Sequence, residues 1–163
     1  MALDPSLYPA LKANILASPD LNSQPNTQDG AYEIARLYNL LASPTFTVWR
    51  SRVPYQEVAD NTSVADLGNM TAANVSRYST AMQISPGGIV PTSVRRAGFE
   101  DIFGGAAGAT TRAKLGLAGT VWMRSATRVE KVYATGTGTV ASPASLVYEG
   151  AVNYQDVFYA RNS

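Results

Sequence analysis

The side chains able to do chemistry in this sequence are few, and their spacing limits what each could do. Thr135-Gly136-Thr137-Gly138-Thr139 is the nearest approach to a phosphate-cradling loop. Such a loop needs a strand before its glycines and a helix opening directly after them. Here a helical pattern precedes, Ser142-Pro143 follows and no Lys stands at the required place, so the run reads as a flexible linker and no cofactor is expected. Glu100 and Asp101 are neighbours on a predicted helix and point about 100° apart. They do not converge as an acid–base pair must, and they read as a solvated or ion-paired face. Asp60 and Asp66 lie six positions apart with no third oxygen donor at calcium-loop spacing, so no metal site is expected.

Two absences narrow the chemistry further. The 163-residue chain has no His and no Cys. That removes imidazole acid–base and metal chemistry, thiolate nucleophiles, disulfides and cysteine-held zinc or iron–sulfur centres. An enzyme would have to rely on carboxylates, Lys, Ser or Tyr, and no convergent set of these is visible. No catalytic residue is assigned, and the expectation is a protein that is not an enzyme.

Charged residues are only 15% of the chain and the net charge is +1. A surface built mainly of Ser, Thr, Asn, Gln and backbone suits packing against neighbours, because each buried charge would need a partner. Charge is uneven along the sequence: residues 1–82 carry five basic and seven acidic side chains, residues 83–163 eight basic and five acidic. On one predicted helix Arg124, Arg128 and Lys131 fall in a stripe. They read as a solvated face, as intersubunit ion-pair partners or as cations lining a DNA channel. Tyr supplies nine of fifteen aromatics, a weak pointer to interfaces, where its amphipathic ring is favoured.

The elements that position these residues are mainly helical. Asp4-Pro5 opens a helix with Tyr8, Leu11, Ile15 and Leu16 at helical spacing until Ser18-Pro19. A second helix runs from about Asp29 to Ala42 with Ile34, Leu37, Tyr38 and Leu41 on one face. Thr45 to Val53 is extended, and short helical pieces follow at Pro54–Ala59, Val64–Asn69 and Ala72–Gln83. Ser85 to Pro91 is a break, after which Ser93 caps a helix that buries Val94, Phe99 and Ile102. The strongest periodicity predicts one long helix over 110–133, with Leu115, Ala118, Trp122, Ser125, Val129 and Val132 on a single seam.

The predicted architecture is a helical bundle with that long helix and an extended C-terminal arm of some β character. A core domain spans 1–134; residues 135–163 form the Gly/Thr linker and the arm. Leu146, Val147, Tyr148, Val152, Tyr154, Val157, Phe158 and Tyr159 give the arm an apolar content unusual for a terminus. Two readings stand open: the arm covers its own bundle, or it docks on another subunit. No stretch approaches the roughly 18 apolar residues of a membrane span, and no secretory signal is visible. A soluble protein without membrane partners is expected.

Arg124 to Ser163, including Ala134-Thr135-Gly136-Thr137-Gly138-Thr139 and Tyr148-Glu149-Gly150, resembles small virion proteins encoded near the head genes of tailed bacteriophages. Val48-Trp49-Arg50 and Ala97-Gly98-Phe99-Glu100-Asp101-Ile102-Phe103 are similar too. Within that class the chain resembles head–tail connectors, also called adaptor or head-completion proteins. The resemblance implies a homo-oligomeric, dodecameric ring in the phage neck, assembled in the host cytoplasm. Its partners would be the portal protein and a tail or stopper protein, with the arm engaging the portal and DNA passing non-specifically. A capsid decoration or tail-completion protein is the alternative. Residue types and spacing do not by themselves imply a phage.

Overall fold

A computed structural model describes residues 3–83 and 87–163, and 55% of the chain is helical. The elements run α1 (Tyr8–Ala17), α2 (Pro19–Asn22), α3 (Gln28–Tyr38), β1 (Thr47–Trp49), α4 (Tyr55–Asp60), α5 (Val64–Gly68) and α6 (Ala72–Ala81). There follow α7 (Ser93–Ile102), α8 (Ala109–Leu115), β2 (Met123–Ser125), α9 (Arg128–Tyr133), β3 (Ala134–Thr135), β4 (Ser145–Leu146) and α10 (Tyr154–Asn162). The mainly helical character is as expected. No helix is long and apolar enough to cross a membrane among the described residues. Of the break expected at Ser85 to Pro91, Ser85 and Pro86 lie outside the described residues, while Gly87 and Gly88 take positive φ and Ile89 pairs with Val53.

Capping decides most helix starts. Asp4 accepts the Ser6 N–H and opens a single 3₁₀ turn, Pro5–Leu7, ahead of α1. Thr27, Ser63, Thr71 and Thr92 each accept the N–H three residues on, satisfying a donor that the first helical turn leaves free. Thr92 takes the capping role expected of Ser93, which becomes the first helical residue. Val94 then points outward and is 79% exposed, against the sequence expectation, while Phe99 and Ile102 are buried. Likewise α3 stops at Tyr38, which leaves Leu41 exposed while Ile34 and Tyr38 are buried.

The single helix over 110–133 does not form. Helix α8 ends at Leu115 because Gly116 leaves helical geometry (φ −72°, ψ −167°) and Gly119 sits where a Cβ would meet the Lys114 carbonyl. Trp122 Nε1 donates to the Leu115 and Gly116 carbonyls at 2.9 and 3.2 Å, satisfying acceptors at the broken end. A new helix then begins at a capping box: Thr127 Oγ1 accepts the Glu130 N–H while Glu130 Oε2 accepts the Thr127 N–H. The expected seam is divided accordingly. Leu115 and Trp122 enter one core, Val129 another, and Ala118 and Ser125 are exposed.

The chain forms two compact units, one of Met1–Val48 with Ser125–Ser163 and one of Trp49–Arg124. The sequence reading placed its division at residue 134, between β3 residues Ala134 and Thr135 of the first unit. In the first unit Leu11, Ile15, Leu21, Ile34, Tyr38, Val129, Val152 and Val157 share one core. A smaller cluster joins Val48, Ala126 and Ala144 with Phe46, Ala134 and Leu146 at its edge. In the second unit Val53, Val58, Ile89, Phe99, Ile102, Phe103, Leu115, Val121 and Trp122 are buried together. Trp122 lies 5.4 Å from the Phe99 ring, and Tyr78 meets Phe103 edge-on at 5.6 Å. Trp49 is half-buried beneath the Arg96 guanidinium, 3.6 Å from the ring centre.

Candidate interaction surfaces

None of the candidate chemical groups is assembled into a reaction centre. The glycine–threonine run is a built hairpin rather than a linker. Ala134 pairs with Leu146 and Thr135 with Ser145 in antiparallel register, and Thr139 and Ser142 bond each other across the turn. The hairpin is pinned to the preceding chain, Thr47 N donating to Gly138 O at 2.7 Å and Ala144 N to Thr47 O at 3.0 Å. Gly138 has φ +67° and its Cα faces the Phe46 ring, so neither the backbone nor the space admits a side chain.

Glu100 accepts the Leu117 N–H at 3.0 Å and lies 3.4 Å from Arg112 Nε, while Asp101 is exposed. Asp60 accepts from Gln56, and the buried Asp66 accepts the Thr111 N–H at 2.7 Å. That hydrogen bond holds the Asp66 carboxyl below the usual aspartate range. Asp66 therefore joins α5 to α8. No group of three acidic side chains is placed to hold a metal among the described residues.

The expected cationic stripe of Arg124, Arg128 and Lys131 is also divided. Arg124 lies in β2, and only Arg128 and Lys131 share a helix, one turn apart on α9. Arg128 makes two bonds to Asp20, at 2.6 and 3.3 Å, which lower the Asp20 carboxyl below its ordinary value. Lys131 is exposed, with its ammonium 5.5 Å from the Phe46 ring centre. Both cations border a groove of about 650 Å³ whose other wall is Ala10, Ala13, Asn14 and Ala17 of α1.

The C-terminal segment folds back on its own unit and ends in a helix, so it is not the extended arm expected from the sequence. Helix α10 packs on α1 and α3. Val157 and Ala160 are fully buried, and Val152 is anchored through both backbone groups to the Asn39 side chain at 2.9 and 3.0 Å. Leu146 packs beside Ala144, and Tyr148 meets Tyr133 edge-on at 5.7 Å. A buried carboxylate, Asp156, completes a capping box with Asn153 at the start of α10. The physical reason is the 3.6 period: once the segment is helical, Val157 and Ala160 face inward together.

What remains outward is a smaller set. Val147 is 71% exposed, Tyr159 56% and Phe158 39%. Tyr159 stacks on Tyr8 at 6.5 Å, Phe158 meets Tyr159 at 6.3 Å, and Tyr154 stacks on Tyr32 at 4.1 Å. Gln28, Gln155, Tyr154, Phe158 and Tyr159 line a shallow depression of about 190 Å³. The outer face of α10 is thus an aromatic ridge above an inner face buried against α1 and α3. Tyr8 and Tyr32 could not have been joined to it from sequence, because they arrive from α1 and α3.

Compared with known proteins, the chain matches no family profile, no curated protein and no solved structure.

Proposed function

We propose that this chain is a structural subunit of a tailed-bacteriophage particle, a head–tail connector that assembles as a ring between portal and tail. The sequence resemblance over Arg124–Ser163 supports the class. The observation that carries a structural role is the aromatic ridge of exposed Tyr32, Phe158 and Tyr159 around the half-buried Tyr154, on a chain with few charges. Tyr and Phe bury large areas for little side-chain entropy, and contiguous exposed aromatics mark association surfaces. Attachment on this reading uses a rigid helical face rather than a tether, because the inner side of α10 already belongs to its own core.

Native mass measurement of the purified full chain, with an image of the particle, tests the proposal. A closed ring in solution or at the portal vertex is expected, and Tyr159→Asp with Phe158→Asp should leave a folded monomer. A chain that stays monomeric at all concentrations and is missing from the neck would overturn it. Trimers spread over the capsid lattice would replace it with a decoration role.

A further inference from the structure

Helix α7 carries a glycine in its interior beside space that its own unit does not fill. A Cβ at Gly98 would meet nothing within 4 Å, although a glycine there weakens the helix relative to alanine. The open space is a cavity of about 170 Å³ between α7 and Ala81 of α6. The buried Ile89, Phe99 and Ile102 line it, and the exposed Val94 stands on its solvent side. Small-ligand sites are mostly apolar cavities with a few placed polar groups. An apolar cavity of about 150 Å³ is already large enough to take up benzene.

The charge on that cavity has one sign. Arg95 is the one ionisable side chain among its described lining residues, one turn before Gly98 on the same helix face. Its Nη1 donates to the Val90 carbonyl at 3.4 Å, which holds the guanidinium beside Ile89 at the wall. The two acids of α7 do not line the cavity: Glu100 is engaged by Arg112 and the Leu117 N–H, and Asp101 is exposed.

We propose that this cavity binds a small apolar carboxylate of the medium-chain acyl type. Its hydrocarbon chain lies against Gly98, Phe99, Ile89 and Ile102, and its carboxylate takes a charge-assisted hydrogen bond from Arg95. The site lies within the second unit and shares no residue with the α10 ridge, so the inference does not rest on the virion reading.

The test titrates the full chain with octanoate, octanol and octylamine, followed by calorimetry and by tryptophan emission, since Trp122 lies 5.4 Å from the Phe99 ring. Saturable binding of octanoate is expected, with octanol and octylamine each at least about fivefold weaker. Gly98→Leu, which fills the cavity, should abolish binding without lowering the thermal midpoint. Arg95→Gln should leave octanol binding in place and erase the preference for octanoate. Circular dichroism checks that the variants fold, and Gly98→Ala replaces Gly98→Leu, with a partial loss of binding, if the larger side chain disturbs α7. Octanoate that fails to saturate, or that binds the cavity-filled variant as it binds wild type, overturns the proposal. Equal binding of all three probes also overturns it, because the cavity would then take apolar matter without regard to charge. So does an assembly of this chain that Gly98→Leu breaks apart, which makes a side chain of a second copy the occupant.

Discussion

Asp156 Oδ1 accepts the backbone N–H of Leu3 at 3.0 Å, so one buried carboxylate near the C-terminus holds the start of the chain. Its Oδ2 accepts the Asn153 N–H at 3.0 Å, and Leu3 itself is buried in the same core. Two ends 153 positions apart are thereby tied by a charge-assisted bond away from water.

Replacing Asp156 with Ala removes that tie and half of the capping box. A loss of about 1–3 kcal/mol is expected, because the buried Leu3 N–H and the partly buried Asn153 N–H are left without their acceptor. Urea denaturation followed by far-ultraviolet circular dichroism measures it. A loss under about 0.5 kcal/mol would show that water replaces the carboxylate.

Deleting the residues after Thr139 takes Ala144, Val152, Val157 and Ala160 out of the two cores of the first unit. Removing several fully buried side chains at once exceeds the whole margin of an ordinary domain. The shortened chain should lose the ordered tyrosine near-ultraviolet signal of that unit and aggregate. A soluble truncated chain with native helix content would mean that α10 is dispensable for the core.

Gly138→Ala must place a methyl group in the Phe46 ring at a backbone φ of +67°. A destabilisation of about 1–3 kcal/mol is expected from strain and overpacking. A matched control is Gly98→Ala on α7, where the added Cβ meets nothing within 4 Å. Equal stability of the two variants would show that the hairpin shifts freely.

Acid and alkaline pH should each be read through a group with its own optical reporter. Asp66 has a lowered folded value through the Thr111 N–H, so its contribution is present above the usual aspartate value of 3.8 and is lost as pH falls through the lower folded value. Burial raises Tyr38 and Tyr133 above the usual 10.0, so their contribution is complete below that pH and is lost as pH rises through the folded values. Both tryptophans lie in the second unit, at 49 and 122. Tryptophan emission should therefore report acid loss, shallower in Asp66→Asn, while tyrosinate absorbance at alkaline pH should report loss of the first unit. A tryptophan transition insensitive to Asp66→Asn would remove the carboxylate as its cause.

Local chemistry was readable from the residues alone where it depends on near neighbours. Asp4-Pro5, Ser63 and Thr71 mark helix starts because a cap needs only a side-chain oxygen and an N–H a few residues away. The Thr127–Glu130 capping box and the glycines at 116 and 119 carried the information that the 110–133 periodicity is interrupted. A single apolar seam hid it, since residues of two different cores can share one spacing. The absence of His and Cys bounded the chemistry before any fold was known.

Tertiary structure decided where the C-terminal segment goes. Apolar content at a terminus is equally consistent with self-burial and with capture by a neighbour, because hydrophobic burial is non-directional. The outcome here came from contacts across more than a hundred positions, Asn39 with Val152 and Leu3 with Asp156, which no local pattern encodes. The interrupted helix left Arg124 in β2 with only Arg128 and Lys131 on α9, and packing within the first unit brought Tyr32 to Tyr154 and Tyr8 to Tyr159. Side-chain type sets what a residue can do, and only the closed fold sets which residues it does it with.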